Sequence, residues 1–414
     1  MEERRDNAGF TPATGDMGRR GFLKAAASSS AAALLPAMAT VATASAATRT
    51  SSGTLASGQY RSPFPATGYA FNSVGAPLTP FNFQRRAVGA NDVVIEIQYC
   101  GVCHSDIHTG RGHWGPQRTP QVTGHEIAGR VVAVGNGVSQ FKVGDTVGVG
   151  CMVNSCGHCG ECATGHEQYC ESGPTMTYGT EVPSTVEPSG TTQGGYSNAV
   201  VVDKDFVIRI PDGYDLAAAG PLMCAAITVY SPLRHWSVRK GSRVGIVGLG
   251  GLGHLCVKIA KAMGAEVVVF TTSADKAADA KRFGASDVVV NYDKDKMTAY
   301  SRKFDFILNT VPVHHDMNPL IAVLKRDATM CLVGIGDVKF PNELSPFATI
   351  GKRNSFAGSM IGGIRETQEV MDFCDLHGIK PEFQIVKPSE LNRVWDDVVA
   401  KRARYRYVVD MRNV

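Results

Sequence analysis

Two different patterns of hydrophobic and polar positions divide the chain. Between residues 92 and 210, short runs of alternating apolar and polar residues recur between glycine-rich turns. Alternation with a period of two is typical of strands that bury one face. The runs cover residues 93–99, 127–134, 146–149 and 199–210. This part of the chain is therefore predicted to form an antiparallel, barrel-like domain.

Beyond residue 211, short apolar runs alternate with helical periods. Residues 243–247 form an apolar run, and apolar positions then recur at helical spacing up to Gly264. Further apolar runs cover residues 266–270, 287–290, 304–308 and 329–333. Alternating strands and helices predict a parallel, doubly wound sheet. The predicted fold class is therefore α/β, with the barrel-like domain beside the parallel sheet.

The first 46 residues have the features of an export signal. Arg19 and Arg20 precede Phe22-Leu23-Lys24, and a stretch rich in Ala, Ser and Thr then leads to the small residues 44–46. A basic start, a weakly apolar middle and a small-residue cleavage site are the parts of a signal peptide. The paired arginines resemble a twin-arginine signal, which directs folded proteins out of the bacterial cytoplasm. We therefore expect a periplasmic or extracellular protein.

Two other interpretations of this segment stay open. The segment could instead be a disordered Ala-rich extension, or it could be an anchor that is not cleaved. Residues 47–67, which are rich in Ser, Thr, Gly and Pro, are predicted to be a flexible lead-in to the folded part.

The composition adds limits to this organisation. A chain of 414 residues with 43% hydrophobic and 19% charged residues is typical of a globular protein of two or three domains. Its 42 basic and 38 acidic residues give no reason to expect a nucleic-acid partner. No stretch approaches the about 18 consecutive apolar residues of a transmembrane helix, so we expect no membrane span in the mature chain.

Four of the eleven cysteines are close together in the sequence. They are Cys156, Cys159, Cys162 and Cys170, and the segment between them is rich in glycine and polar residues. Four thiolates at this spacing can surround one tetrahedral cation, as in a structural zinc site. Two short-range disulfides are the alternative in an exported protein, although such short bridges are strained.

A second set of candidate ligands is spread more widely. It consists of Cys103, His125 and Cys224. Two cysteines and one histidine leave the fourth position of a tetrahedral zinc open for water or substrate, as a catalytic zinc requires. Taken alone, Cys224 would be a buried small hydrophobe and His125 a satisfied core histidine. The remaining cysteines are assigned to packing: Cys100, Cys151, Cys256, Cys331 and Cys374.

A glycine-rich turn follows the first predicted strand of the parallel sheet. Gly248, Gly250 and Gly253 form the pattern G-x-G-x-x-G between a strand and a helix, where it is typical of dinucleotide binding. The first glycine allows the tight turn, the second lets the backbone approach the pyrophosphate, and the third lets helix and strand pack closely. A glycine-rich turn without a ligand is the alternative.

The end of the next strand predicts which dinucleotide binds. An acidic residue at this strand tip would accept hydrogen bonds from the ribose 2′-hydroxyl of NAD. The strand instead leads into Thr271, Thr272 and Ser273, with Lys276 close behind. Hydroxyls and a lysine suit a 2′-phosphate, so the sequence predicts NADP(H). The alternative is a polar turn in which Asp275 reaches the ribose.

Together these motifs resemble those of the zinc-dependent medium-chain alcohol dehydrogenases. The resemblance rests on residues 101–106, 124–126 and 248–253 and on the four-cysteine cluster. Within the family, residues 230–236, 309–312 and 358–363 are most similar to the cinnamyl-alcohol-dehydrogenase-like branch and its bacterial NADPH-dependent aldehyde reductases. The resemblance covers residues 68–414.

The resemblance implies a particular division of the chain. Residues 68–210 would form a GroES-like catalytic domain, and residues 211–349 a Rossmann domain that binds NADP. Residues 350–414 would return to complete the catalytic domain. The active site would then lie in the cleft between the two domains.

The resemblance also implies roles for individual residues. Glu126 would approach the catalytic metal, and Asp106 would orient a ligand histidine, for which His125 is the candidate. Ser105, the nicotinamide ribose and His108 would relay a proton to solvent, unless His108 is only a surface histidine. Trp114 would line the substrate pocket or pack. The implied cofactor contacts are His104, Thr228, Gly248, Gly250, Gly251, Leu252, Gly253, Thr271, Thr272, Ser273, Lys276, Val311 and Ser359.

The predicted function is the reversible reduction of aldehydes to primary alcohols by NADPH, with one catalytic and one structural zinc ion per chain. The expected partner is a small aldehyde or alcohol, and a homodimer is left open. An NAD-linked alcohol or polyol dehydrogenase and a non-catalytic protein that binds zinc and dinucleotide are the alternatives. A metal-free quinone reductase of the same superfamily is disfavoured, because it would lack the second ligand set.

Overall fold

The computed structural model describes residues 58–336 and 344–414. The predicted export signal and residues 47–57 of the lead-in lie outside the described residues. The described chain forms an antiparallel barrel-like part, a six-stranded parallel sheet with helices, and a C-terminal segment that returns to the barrel. The predicted fold class is confirmed.

Antiparallel strands build the barrel-like part. They are β1 (Phe64–Phe71), β2 (Leu78–Arg85), β3 (Asp92–Gly101), β4 (Gln121–Val122), β5 (Ile127–Val134), β6 (Thr146–Val149), β7 (Met152–Asn154), β8 (Thr175–Met176), β9 (Ala199–Asp203) and β10 (Ile208–Arg209). β1 pairs with β2 and β4, whereas β3 pairs with β5 and β9. The short helices α1 (His104–Gly110) and α2 (Gly160–Ala163) lie among the candidate metal ligands.

The structure divides the predicted run 199–210 into two strands. The Asp203 carboxylate accepts a hydrogen bond from the backbone N–H of Asp205 at 2.9 Å and caps a 3₁₀ turn, Lys204–Phe206. β9 therefore ends at this turn and stays on β3, whereas β10 pairs with β6.

The barrel begins earlier than the sequence predicts. Phe64 starts β1, inside the segment 47–67 that is expected to be a flexible lead-in. Pro65 and Gly68 obscure this strand in the sequence. A Cβ at Gly68 would lie only 2.4 Å from the carbonyl oxygen of Tyr196, so this glycine allows a close approach of two backbones rather than a turn.

The parallel sheet and its helices follow. In chain order, the elements are α3 (Leu216–Pro221), α4 (Ile227–His235), β11 (Arg243–Val247), α5 (Gly253–Ala262), β12 (Glu266–Thr271), α6 (Ala277–Phe283), β13 (Asp287–Val290), α7 (Lys294–Ala299), β14 (Phe304–Asn309), α8 (Asn318–Ala322), β15 (Leu324–Leu332), α9 (Pro346–Ile350) and β16 (Ser355–Gly358). The strand order is β13-β12-β11-β14-β15-β16, and all neighbours are parallel. Nucleotides bind at the carboxyl ends of the strands in such sheets.

The C-terminal segment links the two parts. It contains α10 (Ile364–Leu376), β17 (Phe383–Val386), α11 (Leu391–Val399) and β18 (Arg406–Asp410). β18 pairs antiparallel with β3 and so completes the barrel sheet. The predicted boundary between residues 349 and 350 lies too early, because β16 pairs with β15 and extends the parallel sheet to Gly358.

A buried helical run connects the barrel to the parallel sheet. Leu216–His235 is long and apolar enough to cross a membrane, but 89% of its apolar window is buried inside the protein, as in the core helix of a globular domain. Its middle, Leu222–Ala226, is a π-helical turn, a feature that is frequent at functional sites. Cys224 lies in this turn.

Candidate active site and metal centres

The end of β3 brings the first candidate ligand into position. Cys103 caps the N-terminus of α1 in an extended conformation, and its backbone N–H donates to Asp106 Oδ2 at 3.0 Å. Gly101 just before it has no room for a side chain, because a Cβ would lie 2.0 Å from Glu126 Oε2. The sequence therefore lets Glu126 pack directly against the strand end that carries Cys103.

Asp106 is completely buried and connects several segments. Besides the Cys103 amide, its carboxylate accepts hydrogen bonds from the Gly124 N–H at 3.0 Å and the Tyr196 hydroxyl at 2.7 Å. His125 Nδ1 lies 3.2 Å from Asp106 Oδ1. Because Asp106 occupies Nδ1, the other ring nitrogen of His125 is left to face the thiols, and it has no hydrogen-bond partner in the described structure.

The widely spaced ligands converge in one place. The potential ligand atoms of Cys103, His125, Glu126 and Cys224 all lie within 4.8 Å of one another. A hydrogen bond from the Cys224 thiol lowers the pKa of Cys103 well below its usual value, and the same bond raises the pKa of Cys224. The two sulfurs of Cys103 and Cys224 and the unpartnered ring nitrogen of His125 suit Zn²⁺. Three such ligands leave the fourth position of a tetrahedral zinc ion open.

Cys151 lies beside this cluster, although the sequence assigns it only to packing. It follows β6 and is buried, and the neighbouring Cys224 thiol lowers its pKa. Its negative charge helps to raise the pKa of buried His125. Nothing in the local sequence distinguishes Cys151 from a core cysteine, because its neighbours at the site come from distant segments.

Glu126 connects the metal cluster to the glycine-rich turn by way of Arg406. Its Oε1 forms a buried ion pair with Arg406 Nη2, and Oε2 has no hydrogen-bond partner among the described residues. The Arg406 side chain also packs against the glycine-rich turn, since a Cβ at Gly251 would lie 2.6 Å from Arg406 Nη1. Sequence reasoning missed Arg406, which is 280 residues from Glu126.

The four-cysteine cluster forms a separate site. The four sulfurs lie within 4.8 Å of one another, and all eleven cysteines are free thiols, so no disulfide is formed. Backbone N–H groups donate to the sulfurs, from Cys159 to Cys156 at 3.4 Å and from Cys162 to Cys159 at 3.5 Å. The backbone N–H groups of His158 and Cys159 lower the pKa of Cys156 to about 6. A closed set of four such thiols fits a structural zinc ion.

Helix α1 carries the candidate relay residues. The Cys103 thiol lies 3.5 Å from Ser105 Oγ, and His108 is buried three residues further on. His108 Nδ1 contacts His113 Nδ1 at 2.8 Å. The Trp114 ring stacks on His108 with centroids 5.2 Å apart, so the structure gives Trp114 a place beside the relay. His113 was not singled out in the sequence.

Three glycines shape the turn after β11. Gly248 has a φ of 89°, which favours glycine, and a Cβ at Gly253 would lie 2.0 Å from the Gly248 carbonyl oxygen. A Cβ at Gly250, in contrast, would meet no atom within 4 Å. The first and third glycines are thus required by the fold, whereas the second leaves open space for a ligand above the turn.

Several of the other predicted cofactor residues lie at the same edge of the sheet. Val311 follows β14 and contacts the Gly248 turn. Ser359 follows β16, and its backbone N–H donates a hydrogen bond to the Leu332 carbonyl oxygen at 3.2 Å. Burial lowers the pKa of His104 on α1, which favours its neutral form. The remaining predicted contacts are Thr228 on α4, Leu252 at the start of α5, and Thr271, Thr272, Ser273 and Lys276 after β12.

Comparison with known proteins agrees with this geometry. The profile of the alcohol dehydrogenase GroES-like domain matches residues 89–212, and that of the zinc-binding dehydrogenases matches residues 251–375. Aldehyde reductase YahK of Escherichia coli is 49% identical over 343 residues, or 83% of this chain and 97% of YahK. NADP-dependent alcohol dehydrogenase C 1 of Mycolicibacterium smegmatis is 47% identical over 346 residues, with the same coverage of 83% and 97%.

A solved structure is similar over the same region. The cinnamyl alcohol dehydrogenase of Helicobacter pylori, complexed with NADP(H), superposes with a TM-score of 0.80 and 39% identity, and covers 85% of this chain and 99% of its own. The resemblance predicted from the motifs is confirmed. The chain belongs to the zinc-binding, GroES-like alcohol dehydrogenase family.

Proposed function

We propose that this protein reduces aldehydes to primary alcohols, reversibly, with NADPH as the hydride donor and zinc as the metal. The main support is the convergence of Cys103, His125 and Cys224 near the glycine-rich turn. Arg406 connects the two features, because it pairs with Glu126 and packs against the turn. A related aldehyde reductase and a related NADP-dependent alcohol dehydrogenase support it. The intact relay residues on α1 disfavour a non-catalytic binding protein.

The chain's own residues prepare the reaction. When bound, zinc would supply polarisation of the aldehyde oxygen, and NADPH would supply the hydride. Cys103, His125 and Cys224 would hold the metal, with Asp106 fixing the ring of His125. Gly250 leaves the space for the pyrophosphate, and the Arg406–Glu126 pair holds the turn and the metal cluster together.

A proton must reach the product oxygen as hydride is added. Ser105 and His108 lie on consecutive turns of α1, which suits a relay that leads away from the metal cluster. His108 is itself buried, but its Nδ1 contacts Nδ1 of the partly exposed His113. We infer that the proton comes from solvent by way of this pair and moves towards the product oxygen, since histidine takes up and releases protons near neutral pH.

We also propose that the chain forms a homodimer through β16. Among the described strands, β16 is at the edge of the parallel sheet and pairs only with β15. Its Phe356 is 42% exposed, and Phe347 and Ile350 on the preceding helix are 87% and 71% exposed. An open strand edge beside exposed apolar side chains invites pairing with a second copy about a two-fold axis.

Export by the twin-arginine route is a further proposal, supported by Arg19, Arg20 and the small residues 44–46. This route carries folded proteins, so zinc and NADP(H) would be bound before export. Loading in the cytoplasm would also protect the thiols from an oxidising compartment.

We expect two zinc ions per chain, and the two sites respond differently to mutation. Cys103→Ser should remove one zinc and all aldehyde reduction with little change in the melting temperature. Cys159→Ala should remove the other zinc and lower the melting temperature by about 10 °C or more, because a structural site contributes its binding free energy to folding. Metal analysis and calorimetry of both variants test this, and equal loss of stability in both would refute the division.

Purified, zinc-loaded protein should reduce a panel of aldehydes with a kcat/KM at least about tenfold higher for NADPH than for NADH. Wild-type protein that favours NADH would overturn the cofactor assignment.

In the same assay, His108→Gln should slow turnover by about tenfold or more at low buffer concentration, with partial recovery in imidazole buffer. The exposed His235→Gln serves as the matched control, and unchanged kcat in His108→Gln would remove this residue from the relay.

Phe356→Asp should convert the dimer to a monomer, because a carboxylate would be buried at the pairing edge. Leu376→Asp, at an apolar residue that is 80% exposed on α10, is the control and should leave the dimer intact. Sedimentation velocity distinguishes the two masses. A wild-type monomer, or a dimer that persists in Phe356→Asp, would contradict this interface.

Arg19→Lys combined with Arg20→Lys should leave the unprocessed precursor in the cytoplasm, as shown by fractionation and immunoblotting. Arg4→Lys with Arg5→Lys is the control pair and should be exported normally. Normal processing in a strain without the twin-arginine translocase would rule out this route.

A further inference from the structure

Several charged side chains lie close together beyond the tip of β12. Lys276 is buried, and its ammonium group donates to the Leu249 carbonyl at 3.2 Å. Within the described part of the chain it forms no ion pair. Burial lowers the pKa of Lys276, and the positive charges of Arg404 and Lys401 lower it further. Asp275 and Asp279 act in the opposite direction on Lys276, so three cations and two carboxylates lie together at this point.

Arg404 reaches this site from the other domain. It lies just before β18, and its guanidinium forms an ion pair with Asp275 at the start of the turn that carries Lys276. The next residue fixes the segment in place: the Tyr405 hydroxyl donates to Asp279 at 2.6 Å, and its ring stacks on His254 with centroids 5.2 Å apart. The C-terminal segment therefore lies against the nucleotide-binding part at this point.

Asp275 is the residue that would oppose a 2′-phosphate. It follows the glycine-rich turn by about the 20 residues at which an acid binds the ribose 2′-hydroxyl in NAD-binding folds. A free carboxylate there would repel the phosphate of NADP. In this structure its charge is paired with Arg404. The alternative in which Asp275 receives the ribose of NAD therefore requires that this pair is broken.

The ion pair is well placed for an exchange of partners. The side chains of Arg404 and Asp275 are 41% and 62% exposed, and exposed ion pairs contribute little to stability. A phosphate accepts paired hydrogen bonds from guanidinium and carries more charge than one carboxylate. Arg404 can thus exchange Asp275 for a phosphate, and its charge is near enough to Lys276 to lower the pKa of that lysine.

We propose that Arg404 is a specificity-determining residue for the cofactor: supplied by the C-terminal segment, it masks Asp275 and, with Lys276, binds the 2′-phosphate of NADP(H). The role of Arg404 rests on the proposed NADPH-dependent function. Arg404 lies outside the nucleotide-binding domain, so a second domain would contribute to recognition of the 2′-phosphate. Because Arg406, two residues on, pairs with Glu126, the same segment contacts both the 2′-phosphate site and the metal cluster. NADPH, unlike NADH, would thereby contact both domains at its adenosine end.

Binding of 2′,5′-ADP and 5′-AMP tests the inference without turnover. The two probes differ only in the 2′-phosphate, and calorimetric titration gives Kd for each on the zinc-loaded protein. Arg404→Gln should weaken 2′,5′-ADP about tenfold or more and 5′-AMP less than about twofold. Arg404→Lys should recover part of the loss. Arg402→Gln, in the same loop but paired with Asp397 at 2.7 Å, is the matched control and should bind both probes normally.

Asp275→Asn gives an independent readout, because it releases Arg404 and removes a repulsive charge. It should bind 2′,5′-ADP more tightly than wild type. If Arg404→Gln prefers 2′,5′-ADP over 5′-AMP as strongly as wild type does, the proposed role of Arg404 is wrong. Weaker 2′,5′-ADP binding in Asp275→Asn would also contradict that role, and neither result would affect the NADPH assignment. Wild-type protein that binds both probes equally would instead overturn the NADPH assignment on which the inference rests.

Discussion

The buried carboxylate of Asp106 is the constraint on which the site depends. An ionised carboxylate in the protein interior is costly unless its oxygens accept hydrogen bonds. The amides of Cys103 and Gly124 and the Tyr196 hydroxyl meet this requirement together with the His125 ring. These groups come from the end of β3, the segment before β5 and the segment before β9. Satisfying one buried charge therefore brings three parts of the barrel together and turns His125 towards Cys103 and Cys224.

A second buried charge pair extends this arrangement to the cofactor side. Glu126 is the residue after His125, and it forms an ion pair with Arg406, the first residue of β18. Since Arg406 also packs on Gly251, the metal cluster and the glycine-rich turn share one side chain. The return of the C-terminal segment to the barrel thus has a chemical role, because it delivers Arg404 and Arg406 to the two ends of the cofactor site.

Apart from the widely spaced set of Cys103, His125 and Cys224, which is predicted from its ligand chemistry, the sequence predicts those features whose partners are local. The four-cysteine cluster, the three glycines after β11 and the strand Arg243–Val247 depend on residues within a few positions of one another, and the structure contains them as expected. β1 escaped prediction because Pro65 and Gly68 interrupt its pattern. The boundary at residue 350 was too early because β16 is short and is defined only by its pairing with β15.

Site residues that depend on distant segments could not be found in the same way. Cys151 resembles a core cysteine until Cys224 is placed beside it, and His113 has no signal other than its contact with His108. Arg404 and Arg406 contact acidic residues 129 and 280 positions away. A single sequence carries no periodicity or spacing over such distances, so these contacts emerge only from the folded chain.

The most direct test of this account is the zinc content and zinc affinity of Asp106→Asn, measured by metal analysis during titration with a chelator. The amide has no charge and offers one acceptor in place of two, so it cannot hold His125 and the backbone donors together. We predict that the variant retains the zinc of the four-cysteine cluster but binds the catalytic zinc about 10–100-fold more weakly. Two zinc ions held with wild-type affinity would contradict the central role of Asp106.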